Sequence, residues 1–218
     1  MENDSFELLL RKDILQDTAE RVELRLAIFR YLQSYHPSDT SKLDLLYISF
    51  KMYRERADTM LRHAKEIIRE IGMFDGKNPL HIQKLNGTVV LLLDASDSYA
   101  KEKCFKCSKN ALNLATLLSI QLKYPGMNIL NLSSVEATRI FQKFSSFEDA
   151  RDFVESYDLN FDIHWIDAIY HQVIENQNFT YFNDYITSFP TTSKLWVAIS
   201  EKVSKMYFNN LSYSNIIF

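Results

Sequence analysis

Apolar residues recur along the chain three and four positions apart, with polar residues between them, which is the spacing of helices that bury one face. Leu24, Ala27, Ile28, Tyr31, Leu32 and Tyr35 form one such stripe. Leu43, Leu46, Tyr47, Phe50, Ala57, Met60, Leu61, Ala64, Ile67, Ile68 and Ile71 form a longer one. In the next helix Val89, Leu92, Leu93 and Ser96 lie on one side, and Asp94, Asp97 and Lys101 on the solvated side. A helix from about Lys103 to Lys123 would carry Cys104, Cys107, Ala111, Leu114, Ala115, Leu118 and Leu122 on a single face.

The interruptions cluster. Pro37 follows the first stripe, Gly72, Gly76 and Pro79 form a loop, Pro125 and Gly126 form another, and Pro190 lies near the end. Beyond Gly126 the helices shorten. Ser133 with Glu136, and Ser145 with Glu148, fit the capping box, in which a serine and a glutamate three residues on satisfy each other's backbone N–H groups. The runs FEDARDFV (147–154) and FTYFNDYI (179–186) place apolar and aromatic residues at matching positions, about thirty residues apart. The polar breaks LNFD (159–162) and NQN (176–178) divide 147–189 into at least three short helices. The fold expected is all-α: an α-solenoid of antiparallel helix pairs, with longer helices in the first half and short, repeat-like helices in the second. It is expected as one helical domain over 1–218, with sub-units 1–76, 77–125 and 126–207 and a tail 208–218.

Composition narrows the class. Four glycines and four prolines are too few for the turns of a β-sandwich or for glycine-rich phosphate loops. The apolar fraction of 46% and charged fraction of 24% are those of an ordinary globular protein. With 25 basic and 28 acidic residues the net charge is −3, so no strong field draws the chain to nucleic acid or anionic lipid. The longest apolar runs, such as VVLLL (89–93), fall far short of the roughly 20 residues of a membrane span. The N-terminal MENDSFELLLRKD lacks the basic-then-apolar order of a signal peptide. Two cysteines exclude a disulfide framework and point to a reducing, cytoplasmic setting.

Candidate chemistry concentrates in LLLDASDSYAKEKCFKC (91–107). Both cysteines fall on the predicted buried stripe, so core packing is the expectation for them. A zinc site would take Cys104 and Cys107 with His164 and His171 as the remaining ligands. A thioredoxin-like redox pair would need a preceding strand and a helix N-terminus, and the pattern announces neither. Asp97 and Lys101 have the order of a surface ion pair. Lys101, Lys103, Lys106 and Lys109 are not on one side, and no aromatic residues interleave with them as a nucleic-acid groove requires. HWIDAIYHQV (164–173) lacks the H-E-x-x-H order of a zinc helix. His36, His63 and His81 stand without a catalytic neighbour at recognisable spacing. No catalytic, cofactor-binding or metal-binding residue is assigned, and no enzyme activity or cofactor is expected.

The same stretch serves as a signature. LLLDASDSYAKEKC resembles a segment of the spatacsin family, and the resemblance extends in order through FELLLRK (6–12), YISFKMYRERA (47–57) and DFVESYDLNFDIHWIDAIYHQVIENQNFTYFNDY (152–185). It runs from Phe6 to about Tyr207 and is similar to the C-terminal region of that family. The resemblance implies an α-solenoid scaffold that works with spastizin and the fifth adaptor-protein complex, peripheral on late endosomes and lysosomes. It implies roles in lysosome reformation from autolysosomes and in axonal maintenance and transport. It brings no catalytic residues. The alternatives are a metal-binding helical module or metalloenzyme using Cys104, Cys107, His164 and His171, or a generic helical-repeat adaptor.

The last residues, FNNLSYSNIIF (208–218), do not continue the family's pattern. They are uncharged, with Leu211, Tyr213, Ile216, Ile217 and Phe218 among them. The expectation is a loosely packed end, because NNLSYSN is polar enough to interrupt a helical stripe. The contrary reading is a cover for an apolar face left open by an absent next repeat.

Overall fold

The computed structural model describes residues 10, 19–36, 40–72, 74–159, 161–190 and 193–214, and the side chains of all of these except 19–21, 161–164 and 206–214. Among the described residues there are helices and no strand. They are α1 (Ala19–Tyr35), α2 (Thr40–Ser49), α3 (Tyr53–Ile71), α4 (Pro79–Lys101), α5 (Phe105–Lys123), α6 (Ser134–Phe141), α7 (Phe147–Ser156) and α8 (Phe161–Ile169). α8 runs on as a π-helical segment (Tyr170–Glu175), followed by α9 (Phe179–Ser188) and α10 (Ser193–Ser214). Helices close in sequence pack on one another: α1 on α2, α2 on α3, α6 on α7, α7 on α9, and α10 on α8 and the π segment. This is the neighbour-on-neighbour arrangement of a helical solenoid. The chain groups into two units, Met1–Gly72 with Gly87–Leu112, and Met73–Asn86 with Asn113–Phe218.

In unit 1 the first stripe is only partly buried. Ile28 and Leu32 pack with Leu46, while Ala27, Tyr31 and Tyr35 are exposed. Tyr31 instead lies against Tyr35, with ring centroids 5.1 Å apart. The longer stripe is cut by a turn. Met52 N–H donates to the Tyr47 carbonyl and Lys51 N–H to that of Ile48, the two bonds of a Schellman helix end, and Lys51 takes the left-handed position at φ 53°. α3 then buries Ala57 and Ala64, and Gly72 ends it at φ +60°, its N–H bonded to the Ile68 carbonyl. Ala57, Ala95, Tyr99 and Ala111 form a core in which small side chains let α3, α4 and α5 come close.

α4 starts at Pro79, whose missing N–H costs nothing at a first helical position, and the Asn78 side chain accepts the Leu80 N–H. In unit 2 the loop before α4 lies against the loop after α5: a Cβ on Gly76 would stand 2.1 Å from the Pro125 Cβ. The two glycine–proline clusters of the sequence therefore pack together.

The rest of unit 2 is built on aromatic rings. Phe141, Phe144, Phe147, Phe153, Trp165, Tyr181 and Tyr185 share one core. The capping box forms at α6: the Ser133 Oγ accepts the Glu136 N–H and the Glu136 carboxylate accepts the Ser133 N–H. At α7 the cap is Ser146, not Ser145, and its Oγ accepts the Asp149 N–H. This register sends Phe147 into the core and leaves the Asp149 carboxylate for Lys123 and Tyr124.

The expected breaks within 147–189 are present. α7 ends in a Schellman turn with Asp158 at φ 51°, Leu159 N–H on the Val154 carbonyl and Asp158 N–H on the Glu155 carbonyl; residue 160 lies outside the described residues. The π segment closes at Asn176 to Asn178, with Gln177 at φ 56° and Asn178 N–H on the Gln172 carbonyl. α9 stops where Phe189, restricted by Pro190, turns extended.

The polar residues of the tail do not end α10, which continues as helix to Ser214. No glycine or proline lies between Ser193 and Ser214, and asparagine or serine in a helix costs only tenths of a kcal/mol, roughly 0.5 each.

Candidate functional site

Cys104 and Cys107 lie at the junction of α4 and α5. α5 begins at Phe105 and not at Lys103, so Cys104 sits ahead of the helix. Its N–H donates to the Tyr99 carbonyl and the Lys103 N–H to that of Ala100, another Schellman end with Lys103 at φ 59°. Both thiols are free and half-buried, at the edge of the alanine-rich core instead of inside the stripe. Tyr99 donates its hydroxyl to Asp58 at 2.6 Å, and burial followed by that carboxylate pushes its phenol well above the usual value.

The other two nominated ligands belong to the second half of the chain. His171 lies on the π segment of unit 2, its Nδ1 against the Glu175 carboxylate, and the His164 side chain lies outside the described residues. Among the described residues no group of three or more His, Cys, Asp or Glu is arranged to hold a metal ion.

Charged groups elsewhere act as joints between helices. Arg56 of α3 clasps Asp44 of α2 through Nε at 2.5 Å and Nη2 at 3.0 Å, and donates Nη1 to Ser98 of α4 at 2.8 Å. The Asp44 hydrogen bond raises the guanidinium above its ordinary value against the opposing effect of burial. In unit 2 the buried Asp149 accepts from Lys123 at 2.5 Å and from the Tyr124 hydroxyl at 2.9 Å. Gln121 pins the following loop, accepting Ile129 N–H at 2.9 Å and donating to the Met127 carbonyl at 2.7 Å. The sequence pattern did not nominate Asp44, Arg56, Asp149 or Gln121. Their partners lie far along the chain, so spacing carries no trace of them.

On α4, Asp94 and Asp97 are exposed as expected, and so is Leu93. The Lys101 ammonium stands 5.3 Å from the centroid of the Tyr53 ring, a cation–π contact.

What unit 2 offers a partner is an apolar surface. Phe147 and Phe179 hold matching places in the faint repeat, yet Phe147 is 2% exposed and Phe179 68%. Phe179, Phe182 and Ile186 share one face of α9. Trp196 of α10 meets Phe182 edge-on at 5.5 Å and stays half-exposed. In this unit α9 covers the first ring of α7, and the equivalent ring of α9 is left open.

An all-helical chain whose neighbouring helices pack in sequence, joined by part-buried polar contacts, is a helical-repeat protein. The model of the Spatacsin C-terminus family matches residues 1–207. The chain belongs to that family. A Dictyostelium discoideum protein is 32% identical over 206 residues, covering 87% of this chain and 5% of the relative. Mouse spatacsin is 28% identical over 213 residues, covering 93% of this chain and 8% of the relative. The chain thus spans less than a tenth of the curated relatives it matches. No solved structure matches it. The family match stops at 207, where the sequence pattern departs. The spatacsin family is not a known enzyme family. No helix among the described residues is long and apolar enough to cross a membrane.

Proposed function

We propose that this chain is a non-enzymatic helical scaffold segment of a spatacsin-like protein. It acts with a spastizin-like protein and subunits of the fifth adaptor-protein complex, recruited from the cytoplasm to the surface of late endosomes and lysosomes. The processes it serves are endolysosomal trafficking, lysosome reformation from autolysosomes, and axonal maintenance and transport. The observation that carries this reading is the family match over 1–207.

Partner contact is assigned to the open stripe of Phe179, Ile186 and Trp196. Exposed aromatic rings set in a folded surface bury large apolar area at low entropic cost, as interface anchors do. Affinity capture of the full chain from cells tests the reading. Recovery of spastizin-like and adaptor subunits supports it, and their repeated absence under conditions that keep the helices folded contradicts it. Elemental analysis of the purified chain separates it from the metal-module alternative, which requires stoichiometric zinc.

A further inference from the structure

The C-x-x-C pair is not among the residues assigned to partner contact, and its placement is chemically specific. The Cys104 carbonyl accepts the Ser108 N–H at 3.0 Å, the first bond of α5, so Cys104 is the N-cap residue and Cys107 the third helical residue. An N-cap side chain and the third residue share one side of the first turn, which is why caps such as Ser133 reach the N–H three residues on. Here both positions carry thiols.

The α5 N-terminus favours negative charge on Cys104. The Cys107 thiol and backbone N–H, aided by Arg54, hold the Cys104 thiol below its ordinary value, and the same contact to Cys104 holds Cys107 above its own. Both thiols are half-buried, thus within reach of solvent, and the charged groups that act on them are Arg54, which favours the thiolate, and Asp58, which opposes it. The Schellman turn fixes Cys104 from the α4 side while the α5 hydrogen bond fixes it from the other.

We propose that Cys104 and Cys107 form a reversible dithiol–disulfide site, with Cys104 the attacking thiol, Cys107 the resolving thiol, and a small anionic disulfide of the glutathione type the oxidant. The Cys104 thiolate attacks one sulfur of glutathione disulfide; the S–S bond breaks, a mixed disulfide forms, and one glutathione thiolate leaves and takes up the proton Cys104 released. Cys107 loses its proton, attacks the Cys104 sulfur and expels the second glutathione, which takes that proton. Two protein thiols are oxidised and one glutathione disulfide is reduced to two thiols. The Arg54 guanidinium favours an anionic oxidant. Because the cysteines already share one helical turn, closure asks little of the fold.

The test is mass spectrometry of the full chain after incubation with glutathione disulfide, acid quenching and peptide mapping. The wild-type chain should lose two hydrogens, with Cys104 linked to Cys107, and excess glutathione should reverse it. Cys107→Ser should accumulate glutathione on Cys104. Cys104→Ser should react at Cys107 at least about tenfold more slowly. Equal rates in the two variants, or glutathione adducts on the wild-type chain without the internal disulfide, would overturn the proposal. Limiting iodoacetamide on the wild-type chain gives the same order without a substitution: Cys104 alkylated first supports it, and Cys107 first or both together contradicts it.

Discussion

The two units solve helix packing in opposite ways. Unit 1 brings its helices together on alanine, with Ala57, Ala95 and Ala111 at 0% exposure, and joins them by polar contacts: Arg56 to Asp44 and Ser98, Tyr99 to Asp58, Ser96 to Ser108. Unit 2 fills the space between short helices with rings. Trp165 touches Phe141 edge-on at 4.8 Å, Phe147 at 5.3 Å and Tyr185 at 5.3 Å. Unit 1 has α3 and the greater part of α4, with many turns over which small contacts accumulate. A helix of three turns must gain as much from a few residues, and aromatic side chains bury the most area per residue.

That contrast orders the expected effects of substitution. The largest belongs to Trp165→Ala, which opens a cavity at the centre of the ring cluster and should cost about 3–5 kcal/mol in chemical denaturation. In unit 1 the damaging change is the reverse. Ala95→Leu overfills a site with no room and should cost about 1–3 kcal/mol, whereas a loss as small as that of a surface substitution would show that α4 is not closely packed.

The aromatic core also carries a defect that the alanine core lacks. Among the described residues, the Trp165 Nε1 and the Tyr181 hydroxyl are buried without a hydrogen-bond partner, and burial raises the Tyr181 phenol well above its usual value. Tyr181→Phe removes one unpaired group and keeps the ring, so it should raise stability, by about 1 kcal/mol. Destabilisation of that size would mean that the hydroxyl is satisfied in solution.

Ser133→Ala removes the cap of α6 and should cost about 1 kcal/mol. Its partner Glu136 makes part of that pH-dependent. The Ser133 hydroxyl and N–H lower the Glu136 carboxyl below its unfolded value. The stabilisation is therefore present above the ordinary glutamate pKa, about 4.3, and lost as pH falls through the lower folded value. The difference in melting temperature between the wild-type chain and Glu136→Gln should vanish in acid. The smallest effect is at the helix ends. Lys51→Gly in unit 1 should stabilise by about 0.5–1 kcal/mol, and Asp158→Gly in unit 2 by less, because aspartate tolerates the left-handed region better than lysine.

Those helix ends mark where the sequence is legible and where it is not. The α6 capping box could be read because both partners lie within four residues. At α7 the paired serines 145 and 146 face the paired acids 148 and 149, and both registers satisfy the motif. Only the demand that Phe147 be buried selects Ser146. The turns at Lys51 and Lys103 were hidden because lysine fills a position where glycine is the usual signal, which also explains how ten α-helices fit a described chain with so few glycines. The misplaced start of α5 follows from the hidden turn at Lys103, and it concealed that Cys104 is a helix N-cap. Interhelical joints such as Arg56 with Asp44 arise from folding distance and leave no local pattern. The periodicity did give the helices, and the ordered segments gave the family.

The family match carries the scaffold reading, and the open stripe of unit 2 is the surface to which that reading assigns partner contact. Its most direct test is the dissociation constant between the purified full chain and a purified spastizin-like protein, measured for the wild-type chain and for Phe179→Asp with circular dichroism as the folding control. The account predicts saturable binding by the wild-type chain, weakened at least about tenfold by the charge, equal to about 1.4 kcal/mol, with helicity unchanged. Equal affinity of the two chains, or no binding by the wild-type chain, would contradict it.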